Sequence, residues 1–238
     1  MPGHCFPPMK NFLIVGASSG IGATLASQLK EAGYQVFGTY CKHGEKRVPG
    51  VAYHHVDVLS DGWNVDFLPE QLHGLAYCPG RIILNPFARI APGDFEEDYQ
   101  LQVLGAIKVI QSTLPRLKNS GAGAVVLFST VAVQMGFPFH SMVSASKGAI
   151  EGLTRALAAE LAPAIRVNRI APSLTDTPLA APLLNSVDKR ETNAQRHPLK
   201  RIGTPSDVAH AAEFLLTGKS GWVTGQVFHV DGGISTIK

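Results

Sequence analysis

Asn11-Phe-Leu-Ile-Val-Gly-Ala-Ser-Ser-Gly-Ile-Gly22 is the stretch whose reading decides the fold. Phe12 to Val15 is a short apolar run, the pattern of a strand buried on both faces. Gly16, Gly20 and Gly22 follow, and Ala23 to Ala32 then carries Leu25 and Leu29 at helical spacing. Strand, glycine turn and helix in that order are the context in which glycines bind a phosphate. Side chains at Gly16 and Gly20 would block a tight bend and the close approach of a pyrophosphate, and Gly22 lets helix and strand pack closely. The free N–H groups at the helix start, with Ser18, Ser19 and Ile21 in the turn, then face the anion. An ordinary strand-to-helix turn is the competing reading of the glycines alone.

Working outward, Gln35 to Thr39, Val51 to Val58, Gly74 to Tyr77, Ala124 to Phe128, Ile165 to Ile170 and Gln226 to Val230 read as further strands. Asp94 to Lys118 reads as one long helix, because Phe95, Tyr99, Val103, Ile107 and Ile110 recur at three- and four-residue steps. Met142 to Leu161 and Pro205 to Leu216 are further helices, and Asp66 to Leu72 has weak helical character. This alternation predicts an α/β fold: a doubly wound parallel sheet of about seven strands with helices on both faces. With no linker or repeat, residues 1–238 read as one domain, with a loose extension over 1–10 and a Pro- and Leu-rich flap over 175–200.

The totals narrow the class. A hydrophobic content of 45% over 238 residues supports a sizeable core. Lys and Arg are scattered and the net charge is only +3, which argues for neither nucleic acid nor membrane as partner. No apolar run approaches the ~18 residues of a membrane span, and the first ten residues lack the apolar core of a signal peptide. Cys5, Cys41 and Cys78 are odd in number and share no CxxC spacing, so neither a disulfide framework nor a zinc site is expected. The expectation is a cytoplasmic protein with a small-molecule substrate and no metal.

These motifs, in this order, resemble the short-chain dehydrogenase/reductase family, which binds a nicotinamide dinucleotide on a Rossmann-type sheet. Gly16 to Gly22 is similar to the family's cofactor loop, and Asp57-Val58 to the pair that contacts the adenine. Tyr77-Cys-Pro-Gly80 stands in place of the family's Asn-Asn-Ala-Gly turn. Ile165 to Pro172 resembles the strand leading to the nicotinamide loop, with Leu174, Thr175 and Thr177 following it. Pro198 to Val208 and Thr224 to Gly233 are similar to its C-terminal signatures. The resemblance implies cofactor contacts from Gly16, Ser18, Ser19, Gly20, Ile21, Gly22, Tyr40, Lys42, Asp57, Val58, Cys78, Pro79, Gly80, Lys147, Pro172, Leu174, Thr175 and Thr177. It also implies a homo-oligomer, a dimer or tetramer built on the two long helices; Ala145, Ala149 and Gly152 suit such an interface or close packing on the chain's own sheet.

Charge predicts the cofactor. A carboxylate at the end of the second strand would hold the ribose hydroxyls of NAD and repel a 2′-phosphate. Here that end is Thr39-Tyr40, followed by Lys42, His43 and Arg47, which favours NADP(H) over NAD(H) with Lys42 the preferred phosphate partner.

The family's catalytic Asn-Ser-Tyr-Lys set is only partly matched. Lys147 in Ser144-Ala-Ser-Lys-Gly148 falls on the lysine, Thr130, preceded by Ser129, on the serine, Val143 on the tyrosine and Val103 on the asparagine. Valine carries no proton, so His140, seven residues before Lys147, is the expected donor, with Tyr77, Ser141 and Ser144 weaker candidates. Phe137, Phe139, Leu179, Leu183 and Leu184 suggest an apolar substrate pocket or simply core. The function expected is NADP(H)-dependent reduction of a carbonyl or activated double bond with an atypical proton donor. The alternatives are a non-catalytic dinucleotide-binding sensor or structural partner, and a lyase on the same fold.

Overall fold

A computed structural model describes residues 9–42, 44, 47–61 and 64–237. Most of the extension, residues 1–8, and His43 lie outside the described residues. Strand β1 (Asn11–Val15) is an interior strand of a seven-stranded parallel sheet with β2 (Gln35–Tyr40), β3 (Ala52–His55), β4 (Gly74–Tyr77), β5 (Gly123–Phe128), β6 (Ile165–Pro172) and β7 (Val227–Val230). Their order across the sheet is β3-β2-β1-β4-β5-β6-β7.

Side chains alternate across β1, and the core divides accordingly. Phe12 and Ile14 meet Leu25 and Leu29 of helix α1 (Gly20–Glu31) together with Val208 and Leu215 on the same face. Leu13 and Val15 face the opposite layer, where Val109, Ile150 and Leu161 pack. Four of the five β1 residues are buried, as expected of a central strand covered on both faces. The chain leaves β1 toward β2 and β3, then returns to the other side of β1 as β4. That reversal opens a crevice at the carboxyl ends of β1 and β4, where α/β sheets bind ligands.

Three expectations need correction. Asp66 to Leu72 forms no helix: a turn closed by the Leu68 N–H on the Val65 carbonyl (3.0 Å) precedes Pro69, which disfavours helix in the residue before it and offers no donor. Strand β3 stops at His55, because Asp57 turns the chain by accepting from the Leu59 N–H at 2.9 Å. The long helix is not uniform. It runs as α2 (Pro92–Tyr99), one π turn (Gln100–Leu104) and α3 (Gly105–Asn119), with the Gly105 N–H reaching back to the Gln100 carbonyl. Beyond these lie the short α4 (Ala132–Met135) and the long α5 (Ser141–Leu161). A 3₁₀ turn (Pro178–Leu183) and α6 (Val187–Gln195) build the 175–200 segment, and α7 (Pro205–Leu216) precedes the last strand. Among the described residues no helix is long and apolar enough to cross a membrane.

Candidate active site

One cavity of about 1600 Å³ opens at the crevice, and Lys147, Thr130, Ser129, His140 and every sequence-predicted cofactor residue line it, whereas the weaker donor candidates Tyr77, Ser141 and Ser144 do not. The glycine turn forms its floor. Gly16 adopts φ +77°, in the left-handed region, and its N–H donates to the Thr39 hydroxyl at 3.1 Å, tying the turn to β2. A Cβ on Gly22 would overlap the carbonyl oxygen of Gly16, so the first turn of α1 can lie against the loop only because Gly22 has no side chain. Ser19 caps α1 without turning its hydroxyl onto the helix, and the first turn holds no acid. Those N–H groups are therefore left to an external anion, and a dinucleotide pyrophosphate fits this cradle. Thr177 packs over the turn from the 175–200 segment, within 3.3 Å of where a Cβ on Gly20 would stand.

At one end of the cavity stand Tyr40, Lys42, Asp57 and Val58. Lys42 is exposed, and the guanidinium of Arg47 lies 5.3 Å from the centre of the Tyr40 ring while donating to the Gly44 carbonyl at 2.7 Å. Arg47 thus stacks behind Tyr40, and of the two described cations it is Lys42 that faces the cavity.

At the other end Lys147 projects from α5. Burial lowers its pKa from 10.5 to about 8, opposed by the negative charge of Asp98. Cys78 lies beside it, its thiol pushed up to about 12 by burial and hence unreactive. Val143, one helical turn before Lys147, is buried and lines the wall, and Tyr40, at the far end, is the only tyrosine among the lining residues.

The candidate hydroxyls separate by their partners. Ser129 is buried and donates to Glu151 at 2.8 Å, and Glu151 in turn holds the buried Arg169 at 3.2 Å; the Ser129 proton faces away from the cavity chemistry. Thr130 is half-buried, and its oxygen accepts from the Ala132 N–H at 3.3 Å, leaving its own proton to donate. Tyr77 is withdrawn: its hydroxyl donates to the Leu101 carbonyl at 2.6 Å, and burial raises its pKa well above the usual range. Ser144 donates to the Ala132 carbonyl at 3.2 Å, and Ser141 is not among the lining residues. His140 lines the cavity at the start of α5, with Nδ1 2.8 Å from the Pro138 carbonyl. A carbonyl only accepts, so Nδ1 carries the proton and Nε2 of the neutral ring is an acceptor.

Sequence reasoning did not single out Gln102, Arg81, Ser173 or His197, all of which line the cavity. Gln102, not Val103, turns toward Lys147: Val103 is 2% exposed within the core cluster, whereas Gln102 lines the cavity. Both residues stand in the π turn and both are buried, Val103 in the core and Gln102 at the cavity. Arg81, from the loop after β4, joins Gln102 and Asp98. Ser173 and His197 form a pair at 2.8 Å across the cavity wall, with Nδ1 of His197 on the Asn193 carbonyl at 2.8 Å. No local pattern marks these contacts, since they join distant segments. Phe137, Phe139, Leu179 and Leu183 line the cavity, whereas Leu184 is buried in the protein and does not. Among the described residues no cluster of three or more His, Cys, Asp or Glu could hold a metal.

Known proteins share this architecture. The family model described as enoyl-(acyl carrier protein) reductase matches residues 16–235. The 3-oxoacyl-[acyl-carrier-protein] reductase FabG of Staphylococcus aureus is 30% identical, covering 94% of this chain and 98% of that protein. A short-chain type dehydrogenase/reductase from Mycobacterium ulcerans superposes with a TM-score of 0.85 at 26% identity, over 96% of this chain and 90% of that one. ElxO, solved with NADP bound, gives 0.83 at 25%, over 95% and 98%. A glycine turn at the sheet's switch point, a lysine projecting from the helix after β5 and likeness over nearly the whole length lead to one assignment: the chain belongs to the short-chain dehydrogenase/reductase family of nicotinamide-dependent oxidoreductases.

Proposed function

We propose that this chain is an NADP(H)-dependent reductase of 3-oxoacyl thioesters, working without the family's tyrosine. One observation carries the reading: a single cavity holds both the glycine cradle and Lys147, with an apolar wall from Phe137, Phe139, Leu179 and Leu183 that suits an acyl chain. The 175–200 segment supplies part of that wall and acts as a substrate flap. Lys42 at the ribose end supports NADP(H), and ElxO, solved with NADP bound, agrees with it.

When bound, the reduced nicotinamide supplies a hydride to the carbonyl carbon. Thr130 donates a hydrogen bond to the substrate oxygen. Lys147 then gives that oxygen its proton, a role open to an ammonium with a pKa near 8. His140 is the weaker donor. Its Nδ1 proton is held by the Pro138 carbonyl. Assembly as a homo-oligomer belongs to the same reading, because Ala145 and Gly152 leave an exposed face of small residues on α5.

The test is NADPH oxidation with acetoacetyl and longer 3-oxoacyl thioesters, alongside enoyl thioesters and the Lys147→Met and His140→Gln variants. Turnover of the 3-oxo substrates that is lost in Lys147→Met and kept in His140→Gln supports the proposal. NADPH binding with no turnover on any substrate overturns it in favour of a non-catalytic dinucleotide-binding protein.

A further inference from the structure

Asp98, near the end of α2, is completely buried and is a hub for three side chains. Its Oδ1 accepts from Arg81 Nε at 3.2 Å and from Gln102 Nε2 at 2.9 Å. Its Oδ2 accepts from Gln102 Nε2 at 2.8 Å and from Ser146 Oγ at 2.6 Å. An ionised carboxylate only accepts, so the Gln102 amide has one permitted orientation: nitrogen on Asp98, oxygen away from it. That oxygen, Oε1, is buried and has no partner within the protein. A Cβ on Gly80 would lie 3.4 Å from Oε1 and 3.8 Å from Lys147 Nζ, so the two atoms border the same small space above Gly80.

A buried acid with an orphaned acceptor beyond it is expensive to keep unless it does something. We propose that Asp98 is a positioning residue: by pinning the Gln102 amide it aims a carbonyl oxygen at the space beside Lys147, and its charge keeps that lysine protonated within the apolar site. Arg81 braces the acid from the loop after β4 and also pairs with Glu97 at 3.3 Å, so the acid is held by two helices and a loop. The charged and titratable groups facing this space are Arg81 from that loop, Cys78 from the end of β4, Asp98 from α2 and Lys147 from α5. Asp98 is the negative charge that favours the ammonium. In an Asp98→Asn variant, an amide nitrogen or a neutral oxygen replaces the acid; the Gln102 amide is freed to turn, and Lys147 loses its counter-charge.

The inference rests on the reading of Lys147 as the proton-bearing group, and its test is chosen to be independent of turnover. The pH dependence of Lys147 acylation by acetic anhydride is read by peptide mass spectrometry on the folded chain, with surface lysines as internal standards. In Asp98→Asn the midpoint for Lys147 is expected to fall by about one unit, as removal of a nearby opposite charge requires. The double variant Asp98→Asn with Gln102→Glu, which returns one carboxylate to the pair, is expected to move it back. A midpoint unchanged in folded Asp98→Asn overturns the proposal, even if the enzyme reduces 3-oxoacyl thioesters as proposed. Should Asp98→Asn not fold, Gln102→Leu carries the test of the positioning role: it leaves the charge of the acid and removes the aimed oxygen, so the Lys147 midpoint is expected to fall by less than about one unit, and an unchanged midpoint overturns that role.

Discussion

Glu151 and Arg169 form an ion pair of 3.2 Å with both side chains withdrawn from solvent, Glu151 on α5 and Arg169 on β6. Arg169 also donates to the Glu151 backbone carbonyl at 3.1 Å, and Ser129 donates to the remaining carboxylate oxygen at 2.8 Å. Removing one partner strands a charge in the core. Glu151→Ala is expected to destabilise the fold by about 3–5 kcal/mol. Urea unfolding followed by circular dichroism checks this, and a loss under about 1 kcal/mol would show that water reaches Arg169.

If Lys147 gives the proton as proposed, it should set the pH dependence of turnover. Below a pKa of about 8 the ammonium is present and can give a proton; above it the proton is lost. kcat for the 3-oxoacyl substrate should therefore be flat on the acid side of 8 and fall about tenfold per unit above it. Burial depresses this pKa below the 10.5 of a free lysine, so the charged form is disfavoured in the folded state. The resulting destabilisation is fully present below about 8 and fades as the pH rises toward 10.5. Lys147→Met should accordingly raise Tm at pH 7 and lose that advantage at alkaline pH, as differential scanning calorimetry would record.

On the proposed reading Lys42 should discriminate between the cofactors. Lys42→Ala should weaken NADPH binding about tenfold, roughly 1.4 kcal/mol, and leave NADH nearly unaffected. Fluorescence titration of both reduced dinucleotides makes the comparison, and an equal effect on the two would remove Lys42 as phosphate partner.

Thr204 caps α7 reciprocally with Asp207. The Thr204 oxygen accepts from the Asp207 N–H at 3.2 Å, while the carboxylate accepts from the Thr204 N–H at 2.7 Å. Arg201 adds two further bonds and holds the Asp207 carboxyl well below the usual carboxylate range. Thr204→Ala should cost about 1 kcal/mol at neutral pH. The stabilisation from Asp207 is present above the ordinary carboxylate pKa and is lost as the pH falls toward the depressed one. Thermal melts across the acid range check both effects.

The parts of the site legible in the sequence are those specified locally. A run of four apolar residues followed by glycines at fixed spacing dictates a buried strand, a left-handed turn at Gly16 and a helix start, whatever the rest of the chain does. The positions of Lys147, Thr130 and the nicotinamide loop follow from the strands and helices that carry them, and all reach the same cavity.

Side-chain direction was decided by the tertiary structure. The apolar period across Asp94 to Lys118 puts Val103 in the core, where it is buried, but it gives no sign that Gln102, beside it in the π turn, lines the cavity. Asp98 meets Ser146 across 48 residues and Ser173 meets His197 across 24, pairings that the packing of distant elements creates. Likewise the valence of each hydroxyl was settled by its neighbours: Ser129 turned to a buried glutamate, Tyr77 to a backbone carbonyl, Thr130 left with its proton free. The sequence by itself determined the sheet, the glycine turn and the helix that carries Lys147. Only the folded chain decided which oxygens and charges surround that lysine, because burial and partner choice are set by contacts between segments far apart in sequence.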